Sequence, residues 1–159
     1  EDECEQTFSD LYPQGMDDIT DTLLHTKQPD VLVILMESLG GTFVEELGGT
    51  PGVTPNLSRL IPEGIFWENY YSNSFRTDRG TASLISGNVS YPEVSLMTAK
   101  EMHGKLPSLA KTFNRNGYSS SYLYAGPMTN MGKRTYLENC EFQHLLDYTA
   151  FTPEELTST

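Results

Sequence analysis

The chain is 159 residues long and 37% hydrophobic, with 22 acidic residues against 10 basic ones for a formal charge of −12. That length fits one domain able to bury a core, and that charge argues against a nucleic-acid partner, whose phosphates demand basic patches. No apolar run approaches the roughly 18–20 residues of a membrane span and the N-terminus lacks a signal-peptide pattern, so any membrane or targeting segment is expected outside this chain.

Residues 1–28 read as an N-terminal arm and helix. Residues 1–14 are polar and unpatterned, and Met16, Ile19, Leu23 and Leu24 then recur at helical spacing behind Asp17 and Asp18. Val31–Met36 is a continuous, β-branched-rich run, which predicts a strand buried on both faces of a parallel sheet. Thr54-Pro55 predicts a short helix with Thr54 as N-cap, an inner face of Leu57, Leu60 and Ile61, and a stop at Gly64. Ile65–Tyr71 is aromatic and strand-like, so Trp67, Tyr70 and Tyr71 read as core packing, with a headgroup pocket as the alternative.

Asp78–Ser86 has a helical pattern with Leu84 and Ile85 inward and Gly87 as terminator. Leu106-Pro107 opens another helix carrying Leu109, Ala110 and Phe113 up to Gly117. Tyr118–Tyr124 alternates like a strand, Met128–Asn139 repeats like a helix, and Phe142–Leu146 fits a last short strand. Thr152-Pro153-Glu154-Glu155 is a helix start with little chain after it, which implies truncation. Strands alternating with helices predict an α/β fold, with a mainly parallel central sheet covered by helices on both faces. Cys4 and Cys140 form no CxxC or CxxH pair, which excludes a zinc ribbon. One disulfide and two free thiols both stay open.

Two places carry chemistry. Glu37 follows the predicted strand directly, and ligands in open parallel sheets gather beyond strand carboxyl ends, so its carboxylate is placed either to hold a cation or to cap the next loop. Thr77 lies between a strand and a helix, where unpaired N–H groups favour an alkoxide or a phosphate, although a capping threonine has the same position. Arg76 and Arg79 flank it as oxyanion donors.

Five segments in order carry a resemblance. Pro29–Ser38 (PDVLVILMES) resembles the opening strand of the lipoteichoic-acid-synthase-like branch of the sulfatase and alkaline phosphatase superfamily. Thr54–Leu60 (TPNLSRL) looks like the TPNLxxL segment of sulfatases. Arg76–Gly80 (RTDRG) with Leu84–Gly87 (LISG) is similar to the nucleophile segment, where a basic residue precedes the reactive threonine. Leu106–Lys111 (LPSLAK) and Asn116-Gly117-Tyr118 match the following helix and strand. The resemblance implies that residues 29–159 are the N-terminal portion of an alkaline-phosphatase-like catalytic domain, with an incomplete central sheet.

It also implies a divalent metal (Mn²⁺, Mg²⁺ or Zn²⁺) held by Glu37 and Thr77 together with an Asp-His pair from the family's C-terminal half. Such a pair does not occur in this sequence, and the ion need not bind to these residues alone. Thr77 becomes nucleophile as well as ligand, Arg76 a catalytic donor, and Arg79 a substrate contact. His25, His103 and His144 match no motif and are read as surface or supporting residues.

The implied activity is phosphoryl-group transfer or hydrolysis on a phosphodiester or phospholipid headgroup through a covalent phospho-threonine, with a lipid- or glycan-linked substrate. The implied location is extracytoplasmic, at the cell envelope, with a membrane anchor outside this chain. Unpaired sheet edges would favour self-association of these residues taken alone. Sulfuric ester hydrolysis is the first rival. Strict sulfatases use Cys or Ser in C/S-x-P-x-R, whereas Thr77-Asp78-Arg79-Gly80-Thr81 lacks the proline and the final arginine. A catalytically inert sulfatase-fold binding domain is the second.

Overall fold

The computed structural model describes Leu24 and residues 26–90 and 92–157. The predicted arm and most of its helix lie outside these residues. The chain divides into two units, Glu1–Ile34 and Leu35–Thr159, and every element below belongs to the second.

Six α-helices and two strands make up its regular structure among the described residues: α1 (Pro55–Leu60), α2 (Thr77–Ser86), α3 (Lys100–His103), α4 (Leu109–Arg115), β1 (Ser121–Tyr124), α5 (Lys133–Asn139), β2 (His144–Asp147) and α6 (Pro153–Thr157). β1 and β2 pair in parallel, with Ser121 opposite His144 and Tyr124 opposite Asp147. Parallel neighbours need a crossover, and α5 supplies it, so residues 121–147 form a βαβ unit. The fold is α/β with a small parallel sheet, as the alternation of patterns predicts.

Local punctuation explains most boundaries. Pro55 sits at the first turn of α1, but Thr54 makes no side-chain cap. Its hydroxyl instead donates to the Phe43 carbonyl at 2.8 Å, tying α1 to the preceding loop. On the predicted inner face Leu57 and Ile61 are half-buried while Leu60 is exposed. Gly87 ends α2 in the left-handed region (φ 67°), where its N–H reaches the Ser83 carbonyl at 2.8 Å. Ser108 caps α4, and its hydroxyl donates to the Cys140 carbonyl at 2.8 Å, fastening the start of α4 to the end of α5. The C-terminal signal does produce a helix. Thr152 Oγ1 accepts from the Glu155 N–H at 3.3 Å, and a Glu155 carboxylate oxygen accepts from the Thr152 N–H at 2.8 Å, a reciprocal capping box.

Three expectations are corrected. Val31–Met36 is not a strand, and its side chains are 51–84% exposed. A strand buried on both faces needs partners for its N–H and C=O groups, and no described residue pairs with it. Ile65–Tyr71 is likewise irregular, with Trp67, Tyr70 and Tyr71 exposed rather than packed in a core. The pattern over Met128–Asn139 breaks into a 3₁₀ turn at Asn130–Gly132 and α5, because Met131 (φ 54°) and Gly132 (φ 70°) leave helical space.

The core joins α2, the loop before α3, and α5, through Ala82, Ile85, Leu96, Met97, Tyr136 and Leu137, with Tyr122 and Leu145 of the sheet packed on it. Each fully buried large side chain contributes about 1.5–3 kcal/mol relative to exposure. His103 is 1% exposed, so of its two readings the surface one is ruled out. Its Nδ1 accepts from Asn139 Nδ2 at 3.2 Å, so its Nε2–H donates to the Leu96 carbonyl at 2.7 Å, and its ring stands edge-on to Tyr136. His144 is exposed, and His25 lies outside the described residues. Cys140 is a buried free thiol that burial pushes above its ordinary pKa, which makes it unreactive. Cys4 lies outside the described residues.

Candidate active site

The start of α2 is built by its sequence. Arg76 is extended (φ −112°, ψ 134°) and is the N-cap residue, its carbonyl taking the Gly80 N–H at 2.8 Å. Thr77 is therefore the first helical residue, at the end of the helix where N–H groups are unpaired and the dipole is positive. It is half-buried, and its hydroxyl makes no hydrogen bond among the described residues. A threonine kept only for capping would spend that hydroxyl on a backbone N–H.

The neighbours of Thr77 are fixed. Arg76 Nε donates to Asp78 Oδ1 at 3.1 Å, and Arg76 Nη2 reaches Met131 Sδ at 3.7 Å. Its remaining guanidinium N–H groups make no other hydrogen bond among the described residues. Burial alone would raise the Asp78 pKa. The nearby Ser95 hydroxyl (although outside hydrogen-bond geometry) and the Arg76 guanidinium prevail and hold it below the ordinary value. The Arg79 guanidinium carbon lies 6.0 Å from the Phe75 ring centroid.

Unpaired buried polar atoms concentrate here. Of five such side-chain atoms among the described residues, Asp78 Oδ2, Arg79 Nε and Thr81 Oγ1 belong to the first turns of α2, and Ser95 Oγ belongs to the residue acting on Asp78. Ser95 faces Asp78 and Tyr122 faces Thr81, so most of these atoms have a polar neighbour just outside hydrogen-bond geometry.

Sequence reasoning missed Lys133. It opens α5, is 4% exposed, and holds its ammonium 3.1 Å from the Tyr124 ring centroid at the carboxyl end of β1. The signal was the Gly-Lys step inside an otherwise helical run. Gly132 has φ 70°, and a Cβ there would stand 2.8 Å from the Met97 carbonyl oxygen, so only glycine fits.

Glu37 is placed differently. It lies in an exposed turn before Ser38 (φ 60°), and no hydrogen bond or ion pair among the described residues joins it to Thr77, Arg76 or Arg79. Glu37 and Thr77 are oxygen donors, which suits a hard divalent cation. They are two donors where such sites usually use three or more. Among the described residues no group of three His, Cys, Asp or Glu side chains is arranged to hold a metal.

Thr77 thus stands at the start of a helix in a chain with a small parallel sheet. The sulfatase family model matches residues 29–156, and the chain belongs to the sulfatase family. It is also similar to a solved structure, a protein in the alkaline phosphatase superfamily from Vibrio parahaemolyticus, at 27% identity and a TM-score of 0.68. That match covers 73% of this chain and 28% of the other, so the chain spans little more than a quarter of that protein's length. Members of this superfamily generally use divalent metal ions.

Proposed function

We propose that the protein is a metal-dependent phosphoryl-group transferase or hydrolase of the lipoteichoic-acid-synthase-like kind. It acts on a phosphodiester-bearing lipid or glycan through a covalent phospho-threonine at Thr77. The observation that carries this reading is the half-buried Thr77 hydroxyl, free of hydrogen bonds at the first turn of α2 between Arg76 and Arg79.

The residues divide the work. Thr77 Oγ forms a bond to phosphorus as the bond to the leaving alkoxide breaks. Thr77 loses its proton and the alkoxide regains one. A water or acceptor alcohol then takes the phosphoryl group from Thr77. Asp78 holds Arg76 by its Nε, so the rest of the guanidinium is preoriented for the non-bridging oxygens, and Arg79 adds a second cationic group on the same turn. Glu37 and Thr77 are the residues of this chain that would hold the divalent ion, which when bound lowers the pKa of the threonine hydroxyl.

Threonine also separates this reading from sulfuric ester hydrolysis. Its carbinol carbon bears a methyl group and cannot be oxidised to an aldehyde. This reading also includes a membrane anchor outside this chain; no helix among the described residues is long and apolar enough to cross a membrane.

The test is to mix full-length protein with a glycerophospholipid, quench with acid, and map the peptides by mass spectrometry. A phosphodiester-derived adduct on Thr77 is the expected result. An adduct on another residue, or turnover of a sulfate ester with none of the phosphodiester, would overturn the reading.

A further inference from the structure

We infer that Met131 is an oxidation site whose sulfoxide captures the Arg76 guanidinium, so that a peroxide withdraws a donor from the turn that carries Thr77. The inference rests on the reading of Arg76 as a donor to the transferred group, and it adds a modification site outside α2.

The contact is direct. Arg76 Nη2 lies 3.7 Å from Met131 Sδ across 55 residues of sequence, and Arg76 is the residue immediately before Thr77. The other side of the guanidinium is fixed, because Nε donates to Asp78 Oδ1 at 3.1 Å and Asp78 is buried. A thioether sulfur is only a weak acceptor, so Met131 holds Nη2 lightly and an incoming anion can take it.

The backbone sets where the sulfur stands. Met131 has φ 54°, in the left-handed region that non-glycine residues seldom occupy, and Gly132 follows at φ 70°. A Cβ on Gly132 would stand 2.8 Å from the Met97 carbonyl oxygen, so the turn is seated against the core while Met131 itself is 45% exposed.

Exposure selects which methionines react. Met97 and Met128 are fully buried, whereas Met36, Met102 and Met131 are 40–54% exposed. Among the described methionines, Met131 is the one whose sulfur meets a guanidinium. A peroxide transfers one oxygen atom to that sulfur. The S–O bond forms as the O–O bond breaks, sulfur gives up two electrons, and the peroxide leaves as water or as its alcohol. The new oxygen is polar and a stronger acceptor than sulfur. Facing Nη2, it turns a weak contact into a charge-assisted hydrogen bond. The guanidinium is then tied at both ends, and an anion must break a bond to reach it. Methionine sulfoxide reductases reverse the change.

The test follows the Arg76 side-chain ¹⁵N resonances of full-length protein, assigned through Arg76→Lys, before and after hydrogen peroxide, with the sulfoxides mapped by mass spectrometry. Oxidation of Met131 should shift the Arg76 resonances, and a methionine sulfoxide reductase should restore them. Affinity for inorganic phosphate should fall about tenfold on oxidation, the usual size of a hydrogen bond to a charged group. Met131→Leu removes the sulfur at nearly constant volume. Its phosphate affinity should not respond to peroxide, although Met36 and Met102 still oxidise. The wild-type comparison does not depend on any variant folding. Arg76 resonances that stay in place while Met131 is oxidised would overturn the inference. So would a Met131 that resists peroxide while Met36 and Met102 react, or an equal loss of phosphate affinity in Met131→Leu. Phosphate that leaves Arg76 unmoved in the reduced protein sinks the donor reading alone, because capture of Arg76 is read from its resonances without any anion.

Discussion

The Tyr136 hydroxyl meets Ser86 Oγ at 2.6 Å across fifty residues of sequence, in a core where Tyr136 is fully buried. The contact locks α5 beside α2, and burial pushes the Tyr136 phenol well above its usual 10.0. Tyr136→Phe keeps the ring and its edge contact with His103 but strands the Ser86 hydroxyl. A loss of about 1–2 kcal/mol is expected in chemical denaturation, typical for a buried hydrogen bond with one partner removed. An unchanged midpoint would show that the pair contributes nothing to holding the two helices.

Thr77→Ala should abolish turnover of the phosphodiester substrate by about three orders of magnitude or more, since a nucleophile is removed outright. Thermal stability should hardly move, because the hydroxyl bonds to nothing in the described structure. Thr77→Ser should retain part of the rate. Turnover of the alanine variant within about tenfold of wild type would remove Thr77 from the chemistry.

The helices were legible in the sequence because their signals are local. Pro55, Gly87, Ser108 and the Thr152–Glu155 pair each act within one turn of chain. The strands were legible only where they find a partner. β1 and β2 pair with one another, whereas Val31–Met36 has the composition of a strand and no partner among the described residues. The same contrast holds at the candidate site. Thr77 at a helix start follows from the Arg-Thr-Asp-Arg-Gly run alone. The burial of Lys133 depends on Tyr124 and on the positive φ of Met131 and Gly132; the Gly-Lys step marks the turn, but no short pattern announces the burial.

Asp147 ends β2 and gathers three donors. Oδ2 accepts from the Met128 N–H at 3.2 Å, and Oδ1 accepts from the Thr149 N–H and hydroxyl at 3.1 and 2.5 Å. The Thr149 hydroxyl first, and then the backbone N–H groups, hold the carboxyl below its ordinary 3.8. A folded-state pKa below the unfolded one gives stability that is present above the unfolded value and is lost as pH falls through the folded value. Denaturation midpoints of the wild type should therefore drop on acidification below 3.8, and Asp147→Asn should flatten that part of the curve. Parallel acid profiles for the two proteins would count against the assignment.

Exposed aromatic side chains precede the site. Trp67 is 68% exposed, Tyr70 76%, Tyr71 80% and Phe75 92%. Exposed apolar side chains of this size favour association. The 159-residue chain by itself should sediment as a dimer or larger, and Tyr71→Lys with Phe75→Ser should return it toward a monomer. A monomeric wild-type chain at micromolar concentration would contradict this.

Glu37 is the carboxylate that the metal reading depends on, and its exposed turn makes the test clean. Glu37→Gln removes one negative charge at nearly constant volume. Because Glu37 makes no ion pair or hydrogen bond among the described residues, the metal-free stability should stay within about 0.5 kcal/mol, as for ordinary surface substitutions. Metal affinity should behave differently. Loss of a partner merely supporting a ligand costs about 10–100-fold, so loss of a ligand should cost at least as much for Mn²⁺, Mg²⁺ or Zn²⁺ in the full-length protein. Calorimetric titration of both proteins at one pH reads the difference directly. Equal affinities would return Glu37 to a loop-capping role and leave Thr77 as the ligand of this chain still to be tested.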